Sequence, residues 1–127
     1  MTLLEKGLPI DEINELSKVE KGPGRPPHWE MVFWWTRKPL AGARAIIAAA
    51  LLDDINPQQL LAYLFPCRGE RKTVHTCNPS PRLVERLRGK RLLDPFAGFG
   101  SIPLEALRFG LDATAVELLP TAYVFLK

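Results

Sequence analysis

Leu92-Leu93-Asp94-Pro95-Phe96-Ala97-Gly98-Phe99-Gly100-Ser101 decides how this 127-residue chain is read. Residues 91–94 form a short, largely apolar run that stops at an acid and a proline, the pattern of a strand ending in a turn. Gly98 and Gly100 then allow backbone dihedrals and close approaches that a Cβ would block. Residues 101–109 predict a helix, with Gly110 as its C-terminal stop. Asp112-Ala113-Thr114-Ala115-Val116-Glu117 predicts a second strand. Strand, glycine turn, helix, glycine and strand within about 30 residues make a βαβ unit, so the fold class is α/β with a parallel sheet.

In such a sheet the ligand crevice opens at the carboxyl ends of the strands, which places Asp94 and Glu117 beside it. A carboxylate 23 positions after the first is spaced to accept hydrogen bonds from ribose hydroxyls. The glycines do not complete a dinucleotide fingerprint, because Pro103 stands where its third glycine belongs. No Gly-Lys-Ser/Thr follows them, which excludes a P-loop. An adenosine ligand without a phosphate chain fits what is left.

The octet from Asp94 to Ser101 resembles the first motif of amino-type DNA methyltransferases, which modify adenine N6 or cytosine N4. Pro103-Leu104-Glu105-Ala106-Leu107-Arg108-Phe109-Gly110 and Glu117-Leu118-Leu119-Pro120-Thr121-Ala122 resemble a prokaryotic group of adenine-specific DNA methylase-like proteins with an N-terminal domain of unassigned function. Trp34-Trp35-Thr36-Arg37-Lys38-Pro39-Leu40 is similar to a basic-Pro-helix step of that group. The resemblance implies a Rossmann-like S-adenosylmethionine-dependent methyltransferase fold, with an α-helical N-terminal extension and DNA as substrate. It implies a cofactor site made of Asp94, Pro95, Phe96, Ala97, Gly98, Gly100, Ser101, Glu117 and Leu118, with Asp94, Ala97 and Gly98 near the amino-acid end of S-adenosylmethionine and Glu117 on its ribose. Lys38 and Pro39 are carried over as neighbours of the methionine moiety, although some fifty residues separate them from Asp94 where the family pattern has about twenty.

Upstream, residues 1–81 divide from residues 82–127 as a helical and aromatic region with a connector. A short helix is expected over 11–19, then an extended Gly/Pro connector through Lys21-Gly22-Pro23-Gly24-Arg25-Pro26-Pro27. The segment 28–39 holds all three tryptophans, Trp29, Trp34 and Trp35, which are read as core more readily than as base-stacking residues. Residues 40–52 predict a helix with Pro39 in its first turn, and Asn56-Pro57 caps and opens another over 58–64. Residues 66–81 read as a polar surface loop, with Arg68, Arg71, Lys72 and Arg82 clustered near Cys67, His75 and Cys77. A brief helix is expected over 82–88.

Apolar residues at 46% and charged residues at 24% exclude disordered and collagen-like classes. No apolar run reaches the 18 or so residues of a membrane span, and the N-terminus lacks the pattern of a signal peptide, so the chain is expected to be cytoplasmic. A net charge of +3 is too mild to name a partner. Cys67, His75 and Cys77 are three candidate ligands where a closed zinc site needs four, so unrelated thiols are favoured over a metal.

Methyl transfer to an exocyclic amine needs an Asp/Asn/Ser-Pro-Pro-aromatic tetrad in the resembled family. Arg25-Pro26-Pro27-His28 starts with a donor instead of an acceptor, and Asn78-Pro79-Ser80-Pro81 lacks the second proline and the ring. No catalytic residue is therefore assigned. A two-stranded parallel sheet leaves edges to pair. The expectation is a truncated or split methyltransferase, inactive alone and completed by a partner chain or a second copy. The alternative is a non-catalytic module that holds S-adenosylmethionine or adenosine and regulates or assembles with a partner.

Overall fold

The computed structural model describes residues 1–23, 25–31, 37–70 and 72–127. Trp34, Trp35 and Thr36 of the aromatic segment, Gly24 of the connector and Arg71 of the basic cluster lie outside the described residues. Helices α1 (Leu3–Lys6), α2 (Ile10–Val19), α3 (His28–Met31), α4 (Leu40–Leu51), α5 (Pro57–Leu64) and α6 (Pro81–Leu87) precede strand β1 (Arg91–Asp94). Helix α7 (Ser101–Arg108), strand β2 (Asp112–Ala115) and helix α8 (Pro120–Leu126) follow. The two strands pair in parallel, with Arg91 opposite Asp112 and Asp94 opposite Ala115. This is the expected βαβ unit. The architecture is mixed, helices with a two-stranded parallel sheet.

Helix α4 is the centre of the molecule. Its sequence, LAGARAIIAAAL, combines strong helix formers with small side chains, which lets neighbours approach on several sides. It packs on α1, α2, α5 and α7. Leu40, Ala41, Ala45, Ala48 and Ala49 are all but inaccessible to solvent, and the core they share runs from Leu3 through Leu60, Leu64 and Leu87 to Phe109 and Leu111. Trp29 belongs to this core. Residues on both sides of position 81 thus share a single buried cluster.

The start of α4 differs from the expectation. Pro39 lies outside the helix, at the N-cap with an extended ψ of 138°, and offers no side-chain acceptor to the first-turn amides. Glu20, twenty residues earlier and 1% exposed, supplies one. Its Oε2 accepts from Leu40 N–H at 2.7 Å and its Oε1 from Ala41 N–H at 2.8 Å, satisfying two of the four orphan donors of the helix. Burial pushes the Glu20 carboxyl above its usual range, and the two amides pull only partly back.

Candidate functional site

The chain reverses at the carboxyl end of β1 through a turn held from both strands. Asp94 Oδ1 accepts from Phe96 N–H at 3.1 Å, closing a side-chain turn over Pro95. Beyond the formal ladder, Val116 N–H donates to Asp94 O at 2.8 Å, and Ala97 N–H donates to Val116 O at 2.9 Å. These bonds carry the second strand's tail alongside the turn and bring Glu117 to it. Glu117 Oε2 accepts from Gly98 N–H at 2.7 Å, and Oε1 from Leu119 N–H at 3.0 Å. The Leu119 amide, and after it Gly98, hold the Glu117 carboxyl below its ordinary range against the opposing effect of burial.

Both glycines have positive φ, 55° at Gly98 and 89° at Gly100. Gly100 is the left-handed N-cap of α7, and a Cβ there would meet Leu126 Cδ2 at 2.7 Å. The turn therefore requires glycine at this point for its conformation, and a Cβ would also displace the flexible end of Leu126 on α8.

A cavity of about 250 Å³ opens at this turn. Lys38, Phe96, Ala97, Gly98, Ser101 and Glu117 line it, together with Phe99 and Leu119. An adjoining apolar groove of about 350 Å³ between α4 and β1 is bordered by Lys38, Pro39 and Asp94, so the two spaces meet at Lys38. Of the residues expected to bind cofactor, eight thus border these two spaces. Gly100 faces a third cavity behind the turn, beside Phe99 and Phe125. Pro95 is exposed and borders none of the three. Leu118 is 92% exposed and Phe96 83%, so both present apolar surface to solvent at the edge of the site. Asp94 is 8% exposed, and its Oδ2 has no hydrogen-bond partner among the described residues.

Two charged residues that sequence reasoning passed over hold this geometry from beneath. Arg44 and Glu105 are fully buried, and Arg44 Nε donates to Glu105 Oε2 at 2.7 Å. Arg44 also donates to the carbonyls of Cys77 at 2.6 Å, Leu64 at 3.0 Å and Val74 at 3.1 Å. Arg108 Nε lies 3.0 Å from Glu105 Oε1 in an ion-pair contact without hydrogen-bond alignment, while its other nitrogens bond Asn78 Oδ1 and His75 O. The network ties α4, α7 and the 64–78 segment together, and α7 begins at Ser101 on the glycine turn. Arg44 is the single charge in α4, and an isolated charge in so apolar a helix is the signal that could have marked it.

The 66–81 segment departs from the expected surface loop. It contains a 3-10 turn, Val74–Thr76, and buries Val74 and Cys77, because its carbonyls point inward to Arg44. Cys67 and Cys77 form a disulfide with their Cα atoms 6.0 Å apart, which replaces the expectation of unrelated thiols and leaves neither sulfur as a thiolate ligand. His75 Nδ1 is 3.0 Å from Thr73 Oγ1. Among the described residues, no three His, Cys, Asp or Glu side chains are grouped to hold a metal ion. Among the same residues, no helix is long and apolar enough to cross a membrane.

By fold and site the chain is a helical region built onto a βαβ unit, with a cavity formed jointly by a glycine turn, a strand-end acid and a lysine from the helical region. It belongs to the family described as "Protein of unknown function (DUF1156)", which matches residues 7–76. That span includes Lys38, Pro39 and Arg44 and stops short of the glycine turn and Glu117. No curated protein and no solved structure matches the chain.

Proposed function

We propose that this chain is the S-adenosylmethionine-binding portion of an adenine-specific DNA methyltransferase-like protein. The observation that carries the reading is convergence. Lys38, from a step fifty-six positions before Asp94, lines one cavity with Ala97, Gly98, Ser101 and Glu117. The similarity of residues 34–40 to the basic-Pro-helix step implied that meeting, and nothing in local sequence enforces it. The buried, unpartnered Oδ2 of Asp94 is a second support, because a buried carboxylate oxygen without a donor calls for one from a ligand. An ammonium group has the right chemistry.

The residues present fit the cofactor. Asp94 would accept from its amino group, the Ala97-Gly98 turn would run beneath it, and Glu117 retains lone pairs for ribose hydroxyls beyond those the Gly98 and Leu119 amides use. Lys38 offers a cation for its carboxylate. When bound, S-adenosylmethionine supplies an electrophilic methyl group; the part of this chain is to hold and orient it. A match to a family of unknown function at 7–76 agrees in position with the N-terminal domain of unassigned function in the resembled group.

Further strands, proposed to come from a partner chain or second copy, would complete the sheet beside the two strands of this βαβ unit. The exposed Leu93 and Ile46 flanking the α4–β1 groove support such completion, since parallel strands are ordinarily covered on both faces. DNA is the substrate implied by the resemblance. A cytoplasmic location, likewise proposed, entails that the Cys67–Cys77 bridge is exposed to a reducing milieu. A panel of ligands followed by thermal shift tests the reading. S-Adenosylmethionine and its demethylated product should raise Tm while NAD and ATP do not; equal shifts by all four, or none, would reject it.

A further inference from the structure

A further cavity lies between α5 and α6, away from the glycine turn. Helices α5 and α6 pack side by side, joined by a 2.8 Å bond from Ser80 N–H to Tyr63 O. Gln59 and Tyr63 lie four apart on α5, Arg82 and Arg86 four apart on α6, so each pair shares a helix face. The two pairs line a common cavity of about 200 Å³. At about 30 Å³ per water it is large enough for a phosphate group. Two guanidinium forks, an amide and a phenol border it, against one carboxylate, Asp54, whose Oδ1 is held by Arg86 Nη2 at 2.7 Å.

The chain that follows Arg82 and Arg86 carries more positive charge. Residues 82–91 contain Arg82, Arg86, Arg88, Lys90 and Arg91, all exposed, against the single acid Glu85. Arg91 starts β1, so it lies about 10 Å of strand away from Asp94, at the amino end of the sheet. We propose that the facing pairs Gln59/Tyr63 and Arg82/Arg86 bind a backbone phosphate of duplex DNA, with Arg88, Lys90 and Arg91 extending the contact along the strand. Planar, bidentate guanidinium groups suit a phosphodiester, and contacts of this kind position a duplex without reading its sequence. The inference agrees with the DNA substrate proposed above and does not depend on the cofactor site, since binding here needs no cofactor.

The test is fluorescence anisotropy of the full chain with two labelled duplexes of unrelated sequence, without cofactor, from about 50 to 200 mM salt. Arg82→Gln/Arg86→Gln should weaken binding of both duplexes about tenfold at low salt and lower the slope of log K against log[salt] by one to two. Asp54→Asn, which removes the opposing carboxylate, should tighten both, a gain that misfolding cannot mimic. Lys18→Gln and Glu15→Gln, an exposed pair on α2, control for net charge and should move neither. Absence of duplex binding by the wild-type chain, an unchanged double variant, or control variants that shift binding as far as the cavity variants would overturn the proposal.

Discussion

Replacing Arg44 by methionine is the most informative perturbation of the fold, because it removes the centre of a buried network while keeping side-chain bulk. The wild-type guanidinium makes four hydrogen bonds, one to Glu105 and three to carbonyls. Breaking a buried ion pair from one side costs about 3–5 kcal/mol, mostly the penalty of the stranded partner. Arg108 stays 3.0 Å from the other oxygen of Glu105, so the low end, about 3 kcal/mol, is expected. At about 0.05–0.15 kcal/mol per residue a chain of this length has about 6–19 kcal/mol in all, and the variant should fold with a visibly lower midpoint. The pair Arg44→Met/Glu105→Leu removes the stranded charge as well and should recover at least half of the loss. Urea unfolding at pH 7 followed by circular dichroism measures both. A single variant within about 1 kcal/mol of wild type, or a double variant costing the sum of its singles, would mean that the buried Arg44–Glu105 pair does not hold α4 to α7.

Glu20 gives a pH prediction whose sign follows from its raised carboxyl. Its contribution to stability is fully present below the unfolded-state value near 4.5 and is lost as pH rises through the higher folded-state value; the stability difference between wild type and Glu20→Gln should therefore shift in favour of wild type on acidification, and an invariant difference would count against the buried cap. Gly100→Ala forces a non-glycine residue to φ 89° and should destabilise by about 1–2 kcal/mol, part of it recovered by Leu126→Ala because the clash is with that side chain's flexible end. Recovery would be read from thermal midpoints, and no effect of the alanine would dismiss the left-handed cap. Reduction of Cys67–Cys77 opens a loop of ten residues and should cost about 2.7 kcal/mol by chain entropy, measured as unfolding with and without reductant. Equal midpoints would show that the bridge contributes nothing.

The βαβ unit was legible because each of its signals is local. The strand 91–94 ends at Asp94-Pro95, where the turn begins, and Gly110 follows the helix as its stop. The second strand is shorter than its sequence pattern, since Val116 and Glu117 leave the ladder to hold the turn instead. What local patterns could not show is partnership across the chain. Nothing near Pro39 announces that Glu20 caps α4, and a segment rich in polar side chains conceals carbonyls aimed at Arg44. The cysteine spacing was ambiguous for the same reason, because pairing depends on a Cα separation that sequence does not contain. Lys38 is the opposite case. Its spacing spoke against a place beside the turn, and the packing of α4 on α7 supplied one.

Cofactor binding at the Asp94 turn and Glu117 is read by isothermal titration of the whole chain with S-adenosylmethionine, with Asp94→Ala and Glu117→Ala titrated alongside. Wild type should bind saturably at one to one, with binding lost in the Asp94 variant and weakened at least tenfold in the Glu117 variant, which surrenders charged hydrogen bonds to ligand hydroxyls. Absence of binding by a folded wild-type chain, or equal binding by all three proteins, would contradict it.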